Sequence, residues 1–112
     1  MRGRLFEQLM VLETHRMRSY LRSEARLFFW RTNAGAEVDL LIEKHGRLLG
    51  AFEIKASRRI AGSNLSGLRA FHQDHPTVPL AIICDAAEPH MLEGVRVIPW
   101  KAYFEELPEI LG

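Results

Sequence analysis

Apolar and polar positions change rhythm along this chain, and each rhythm predicts a different element. Over residues 4–22 the apolar side chains recur at helical spacing. Leu5, Leu9, Leu12 and Tyr20 fall near one face, Phe6, Met10 and Met17 lie beside it, and Arg and Glu fill the rest. Residues 26–32, RLFFWRT, are rich in aromatics and read as a strand. Asn33-Ala34-Gly35 is a turn signal. Residues 36–43, AEVDLLIE, then alternate: Ala36, Val38, Leu40 and Ile42 point one way, Glu37, Asp39, Leu41 and Glu43 the other. Residues 47–55, RLLGAFEIK, form a further strand.

A loop, ASRRIAG, follows. Ser63 is placed to N-cap a helix running to about Asp74, with Leu65, Leu68 and Phe71 on one side and Pro76 stopping it. Residues 79–84, PLAIIC, are a short apolar run suited to a strand buried on both faces. Residues 95–98, VRVI, make a last short strand, and residues 99–107, PWKAYFEEL, a closing helix with Pro99 at its start. The order α, β, β, β, α, β, with a short β and α appended, predicts an α/β fold: a mixed sheet covered by helices.

Length narrows the picture to one domain over residues 1–112. No apolar run approaches the roughly 20 residues of a membrane span, and charges come too early for a secretory signal. Cys84 is the only cysteine, which rules out an internal disulfide and fits a cytoplasmic setting. The formal charge is +1, but it is unevenly spread. Residues 1–72 hold 13 Lys and Arg against 7 Asp and Glu, and residues 73–112 hold 2 against 7. Such a basic half can steer a polyanion; Arg-rich helices are also simply soluble.

Candidate chemistry depends on the hairpin register. Lys44-His45-Gly46 matches a three-residue loop with Gly in the left-handed third position. That loop would pair Glu43 with Arg47, Asp39 with Ala51 and Glu37 with Glu53. Glu37, Asp39, Glu53 and Lys55 would then share one face, with Val38, Leu40, Ile42, Phe52 and Ile54 on the other. Asp39 and Glu53 become diagonal neighbours, roughly 7–8 Å apart at the backbone. Two carboxylates at that range suit Mg²⁺ or Mn²⁺, with the Ile54 carbonyl as an added ligand. The Lys55 ammonium can orient or deprotonate a water and offset phosphate charge. Charges on a solvated strand face give the same pattern, and Glu-x-Lys is common there.

The ordered set GAEVDLLIE and AFEIKAS resembles the PD-(D/E)XK nuclease superfamily, with Asp39 as its Asp and Glu53-Ile54-Lys55 as its (D/E)XK element. More narrowly, LFEQLMVLE, LFFWRTNAGAEVDLLIE, FEIKAS, LSGLRAF and GVRVIPW are similar to an uncharacterised domain at the C-terminus of many prokaryotic AAA+ ATPases. The resemblance implies a restriction-endonuclease-like αβββαβ core and a magnesium-dependent nuclease acting on DNA. It also implies that the first-helix acid Glu7 completes the metal site, that Glu37 is an accessory acid, and that Arg31, Arg58 and Arg59 contact phosphate. No proline precedes Asp39, and the P-loop of the ATPases is absent, so no ATP hydrolysis by that route is expected. The alternative reading is a non-catalytic interaction module of an AAA+ system that keeps the nuclease fold and binds a partner chain (that ATPase or a second copy of itself) or nucleic acid.

The remaining residues read as structural. His72 and His75 suit a helix C-terminus better than a metal. Cys84 reads as a buried thiol. Trp30 and Trp100 could stack on bases, but core packing is favoured for both.

Overall fold

The computed structural model describes residues 2–112. Helix α1 (Arg2–Tyr20) leads into an antiparallel meander of β1 (Arg26–Arg31), β2 (Glu37–Lys44) and β3 (Arg47–Ile54). A 3₁₀ turn (Gly62–Leu65) opens into α2 (Ser66–Asp74). Strand β4 (Leu80–Cys84), the hairpin β5 (His90–Leu92) and β6 (Val95–Pro99), and helix α3 (Trp100–Leu111) complete the chain. The sheet runs β1-β2-β3-β4-β6-β5, with β4 parallel to both β3 and β6. A mixed six-stranded sheet flanked by helices is thus the architecture. Among the described residues no helix is long and apolar enough to cross a membrane.

Each face of the sheet has its own core. On one side Leu40, Ile42, Phe52, Ile54 and Ile83 meet Met10 of α1 and Tyr103, Leu107 and Leu111 of α3. On the other, Val38, Leu41, Ala51 and Ile82 lie under Leu65, Leu68 and Phe71. Thr14, fully buried in α1, bonds to the Met10 carbonyl at 2.8 Å and to the Tyr103 hydroxyl at 2.8 Å, which joins the two helices of the first layer. Burial drives the Tyr103 hydroxyl up to about 12, although the Thr14 bond works against that shift. Cys84 is buried, and Trp30 packs edge-on against Phe71, as their apolar settings predict. Trp100 lies half-buried against the first core, and its Nε1 donates to Asp85 at 3.3 Å. His75 stacks on Phe71 with ring centres 4.5 Å apart, beyond the end of α2.

Several boundaries differ from the sequence reading. The inward line of α1 is Phe6, Met10, Thr14 and Met17, whereas Leu5, Leu9, Leu12 and Tyr20 are 57, 45, 51 and 84% exposed. Ser63 sits inside the 3₁₀ turn and caps nothing; Asn64 Oδ1 accepts from the Ala61 N–H at 2.9 Å instead. Strand β5 was not expected, because three residues show no periodicity; its Glu93-Gly94 turn takes positive φ at both positions. Helix α3 continues through Pro108 to Leu111, since burying Leu107 and Leu111 outweighs the backbone bond that proline removes.

Candidate active site

The hairpin turn has two residues, His45 (φ 55°) and Gly46 (φ 78°), so Lys44 pairs with Arg47 and Glu43 with Leu48. This corrects the three-residue loop. Both central residues with positive φ match the twist of a two-residue hairpin turn. A register shift then sets Ile42 opposite Gly50 and Leu40 opposite Phe52. The β2–β3 pairing ends there, with Asp39 and Glu53 each one residue beyond the last pair.

A second irregularity re-aims the acidic end of β2. Phe28 pairs with Leu41 and Trp30 with Val38, two steps on β1 against three on β2. The extra residue falls at Asp39-Leu40, and side chains before the bulge change sides. Val38 therefore joins Leu41 and Ala51 under α2 rather than Leu40 and Ile42, correcting the simple odd-even assignment. Asp39 leaves the regular ladder, and its Oδ2 accepts the Ile54 N–H at 2.8 Å. A side chain thus does the work of a backbone carbonyl, and the carboxylate is held at the end of the β2–β3 pair.

Two more carboxyl groups converge on Asp39. Glu53 and Glu7, both half-buried, each lie close enough to Asp39 for its carboxyl group to push them upward. Burial is the main force raising Glu53 to about 9, followed by the Asp39 hydrogen bond and charge, with Glu7 adding to it and Lys55 opposing. Glu7 is raised as well, first by burial, then by Asp39 and Glu37, again against Lys55. The structure therefore gathers Glu7, Asp39 and Glu53 with Lys55 beside them. Glu37 stands at the rim, 3.4 Å from Arg31 in an exposed ion pair. Arg59 is exposed in the loop after β3, and Arg58 lines a separate depression with Ala86, Trp100, Lys101 and Glu105.

The sequence reading missed Gly67, in the first turn of α2. A Cβ there would fall 2.0 Å from the Glu37 carbonyl oxygen and 3.3 Å from Glu53 Oε2. Only glycine lets α2 settle this closely over the acidic ends of both strands. Its signal was a glycine within an apolar helical pattern.

The acidic side chains gathered here offer only oxygen donors, the kind that suits a hard cation such as Mg²⁺ or Mn²⁺. Like-charge crowding around Asp39 is what a divalent cation relieves, so these residues fit that group. Among the described residues, no group of three or more His, Cys, Asp or Glu side chains is arranged to hold a metal ion.

The crowding has a consequence for the metal-free protein. Glu53 titrates near 4.5 when unfolded and at about 9 when folded, so the folded state holds its proton more tightly. The stability this contributes is complete below about 4.5 and disappears as pH rises through about 9. With chelator present, wild-type Tm is expected to fall between about pH 6 and 9. Glu53→Gln keeps a donor, lacks the charge, and should be flatter across that range. At about pH 8.5 it should be more stable by on the order of 2 kcal/mol, a figure discounted for the group's contact with solvent. Thermal melts read by circular dichroism check both slopes; parallel curves would show that Glu53 is not the strained acid.

What fold and site define together is a mixed α/β protein with a carboxylate–lysine cluster at the end of a central strand pair. The family described as Domain of unknown function (DUF4143) matches residues 2–103, and the chain belongs to it. No curated protein and no solved structure matches it.

Proposed function

We propose that this domain is a divalent-metal-dependent phosphodiesterase acting on DNA, built on a restriction-endonuclease-like αβββαβ core. The observation that carries the reading is the convergence of Glu7 and Glu53 on an Asp39 already anchored to the Ile54 N–H, with Lys55 next to them. Asp39 and Glu53, helped by Glu7, would hold Mg²⁺ or Mn²⁺. Once bound, such an ion neutralises phosphate charge and lowers the pKa of water. Lys55 would orient the attacking water and take part in moving its proton, while Arg31, at the rim beside Glu37, would meet a neighbouring phosphate. Arg58 and Arg59 would serve DNA at a greater distance along the loop.

Two measurements test this. Wild type with Mg²⁺ or Mn²⁺ should cut DNA, and chelator should stop it. Calorimetric titration with Mn²⁺ should show binding that Asp39→Asn abolishes. Silence in both would refute the nuclease reading.

A second reading draws on a different observation. Leu5, Leu9 and Leu12 form an exposed stripe on α1 beside a groove of about 780 Å³, walled also by Phe6, Trp100 and Phe104. An apolar patch of this kind suits a protein contact, so the domain would serve as a non-catalytic module that binds an AAA+ ATPase or a second copy of itself. Light scattering on the purified chain, alone and with such an ATPase, distinguishes that role.

A further inference from the structure

Opposite the bulge that re-aims Asp39, edge strand β1 exposes two successive aromatics. Phe28 is 42% and Phe29 69% exposed, an unusual placement for two adjacent large apolar residues. They line a pocket of about 330 Å³ together with Val11 and His15 of α1, and Asp39 forms part of its wall. The carboxylate at the centre of the proposed catalytic cluster is therefore also a wall of an aromatic pocket. The Arg31 guanidinium lies 5.7 Å from the Phe29 ring centre, on one side of the ring, and the ring's exposure leaves contact area open beyond it.

From this juxtaposition we propose that the pocket between α1 and β1 seats an unpaired nucleobase, so that the nucleic acid taken by the Asp39 site is single-stranded. The inference rests on the phosphodiesterase reading for its substrate and adds the strandedness of that substrate. In a duplex both faces of a base are covered by its neighbours, and its edge is paired. Only an unpaired base offers a π-face to Phe29 and a polar edge to His15. Arg31 can hold a phosphate while its aliphatic stem remains on Phe29. Trp30, the aromatic between them in sequence, is turned to the opposite core and is not available. Because Asp39 is shared, the nucleotide whose base occupies the pocket would carry its phosphate toward the carboxylates.

The test is fluorescence anisotropy in Ca²⁺ with fluorescein-labelled oligothymidylate. It is measured as a single strand, in a duplex with its complement, and as an abasic strand of equal length. The base-bearing single strand is expected to bind about tenfold more tightly than the abasic one. Phe29→Ala, at an exposed position that the fold does not need, should erase that difference and leave the abasic strand unchanged. Equal affinity for the three wild-type probes, or a base preference that survives Phe29→Ala, overturns the inference. Base-dependent binding without cleavage in Mg²⁺ or Mn²⁺ would remove the nuclease reading and keep the pocket. Equal cutting of duplex and single strand, unaffected by Phe29→Ala, would remove the pocket and keep the nuclease.

Discussion

Gly67→Ala should lower stability by about 3 kcal/mol, a large effect for the addition of one methyl group. The new Cβ would sit 2.0 Å from the Glu37 carbonyl oxygen, and that contact is with backbone, which cannot rotate aside. Either α2 lifts off the sheet or the start of β2 shifts. Lifting α2 uncovers Leu65, Leu68 and Phe71, all fully buried, so the penalty spreads through the second core. For a domain of this size the expected drop in Tm is more than about 10 °C. Differential scanning calorimetry measures it. A Tm within about 2 °C of wild type would mean that α2 does not press on Glu37. Any folded remnant should also bind Mn²⁺ poorly, because Glu53 Oε2 lies next to the same methyl position.

Under the proposed phosphodiesterase function, Lys55→Ala should reduce DNA cleavage by about 10² to 10⁴ while leaving the fold intact. The side chain is exposed, so its removal opens no cavity. The backbone there stays tied to β4 through the Lys55 N–H, which donates to the Ile83 carbonyl at 2.9 Å. What disappears is the positive charge that opposes the upward shift of both Glu7 and Glu53. Mn²⁺ affinity is therefore expected to hold or rise, because a competing cation has gone. A loss of rate together with retained metal binding would mark Lys55 as acting on the reacting water or phosphate. Lys55→Arg keeps the charge on a planar group that is far harder to deprotonate, so it should restore part of the rate if electrostatics dominates and none if proton transfer does. Unchanged cleavage in Lys55→Ala would take the residue out of the chemistry.

The bulk of the secondary structure was legible because periodicity reports local geometry. AEVDLLIE reads as a strand from its alternation, although β2 is covered on both faces, and PLAIIC is apolar throughout because β4 is covered on both faces as well. Asp39, Glu53 and Lys55 were legible as one group, from Asp and Glu-x-Lys on neighbouring strands, and Glu7 was joined to them only by the family resemblance. Their geometry was not. The expected three-residue loop and the observed His45-Gly46 turn differ by one residue, and only further ladder irregularities restore the acids to one another. Such shifts depend on which hydrogen bonds and contacts the partner strands offer, and the sequence of one strand does not record them.

Helix α1 shows the same division. Its composition marks a helix with apolar residues over a wide arc, and either the Leu5, Leu9, Leu12 line or the Phe6, Met10, Met17 line could face inward by spacing alone. Sequence by itself determined the element order apart from β5, the strand and helix classes, and which chemical groups stand near the ends of β2 and β3. Tertiary structure alone decided which line of α1 is buried, where Asp39 points, and that two phenylalanines of β1 face outward. The physical reason is one of range. Periodicity is written into neighbours a few residues apart, whereas Thr14 meeting Tyr103, Gly67 meeting Glu37 and Asp39 meeting the Ile54 N–H are contacts between distant segments that exist only once the sheet has closed between its helices.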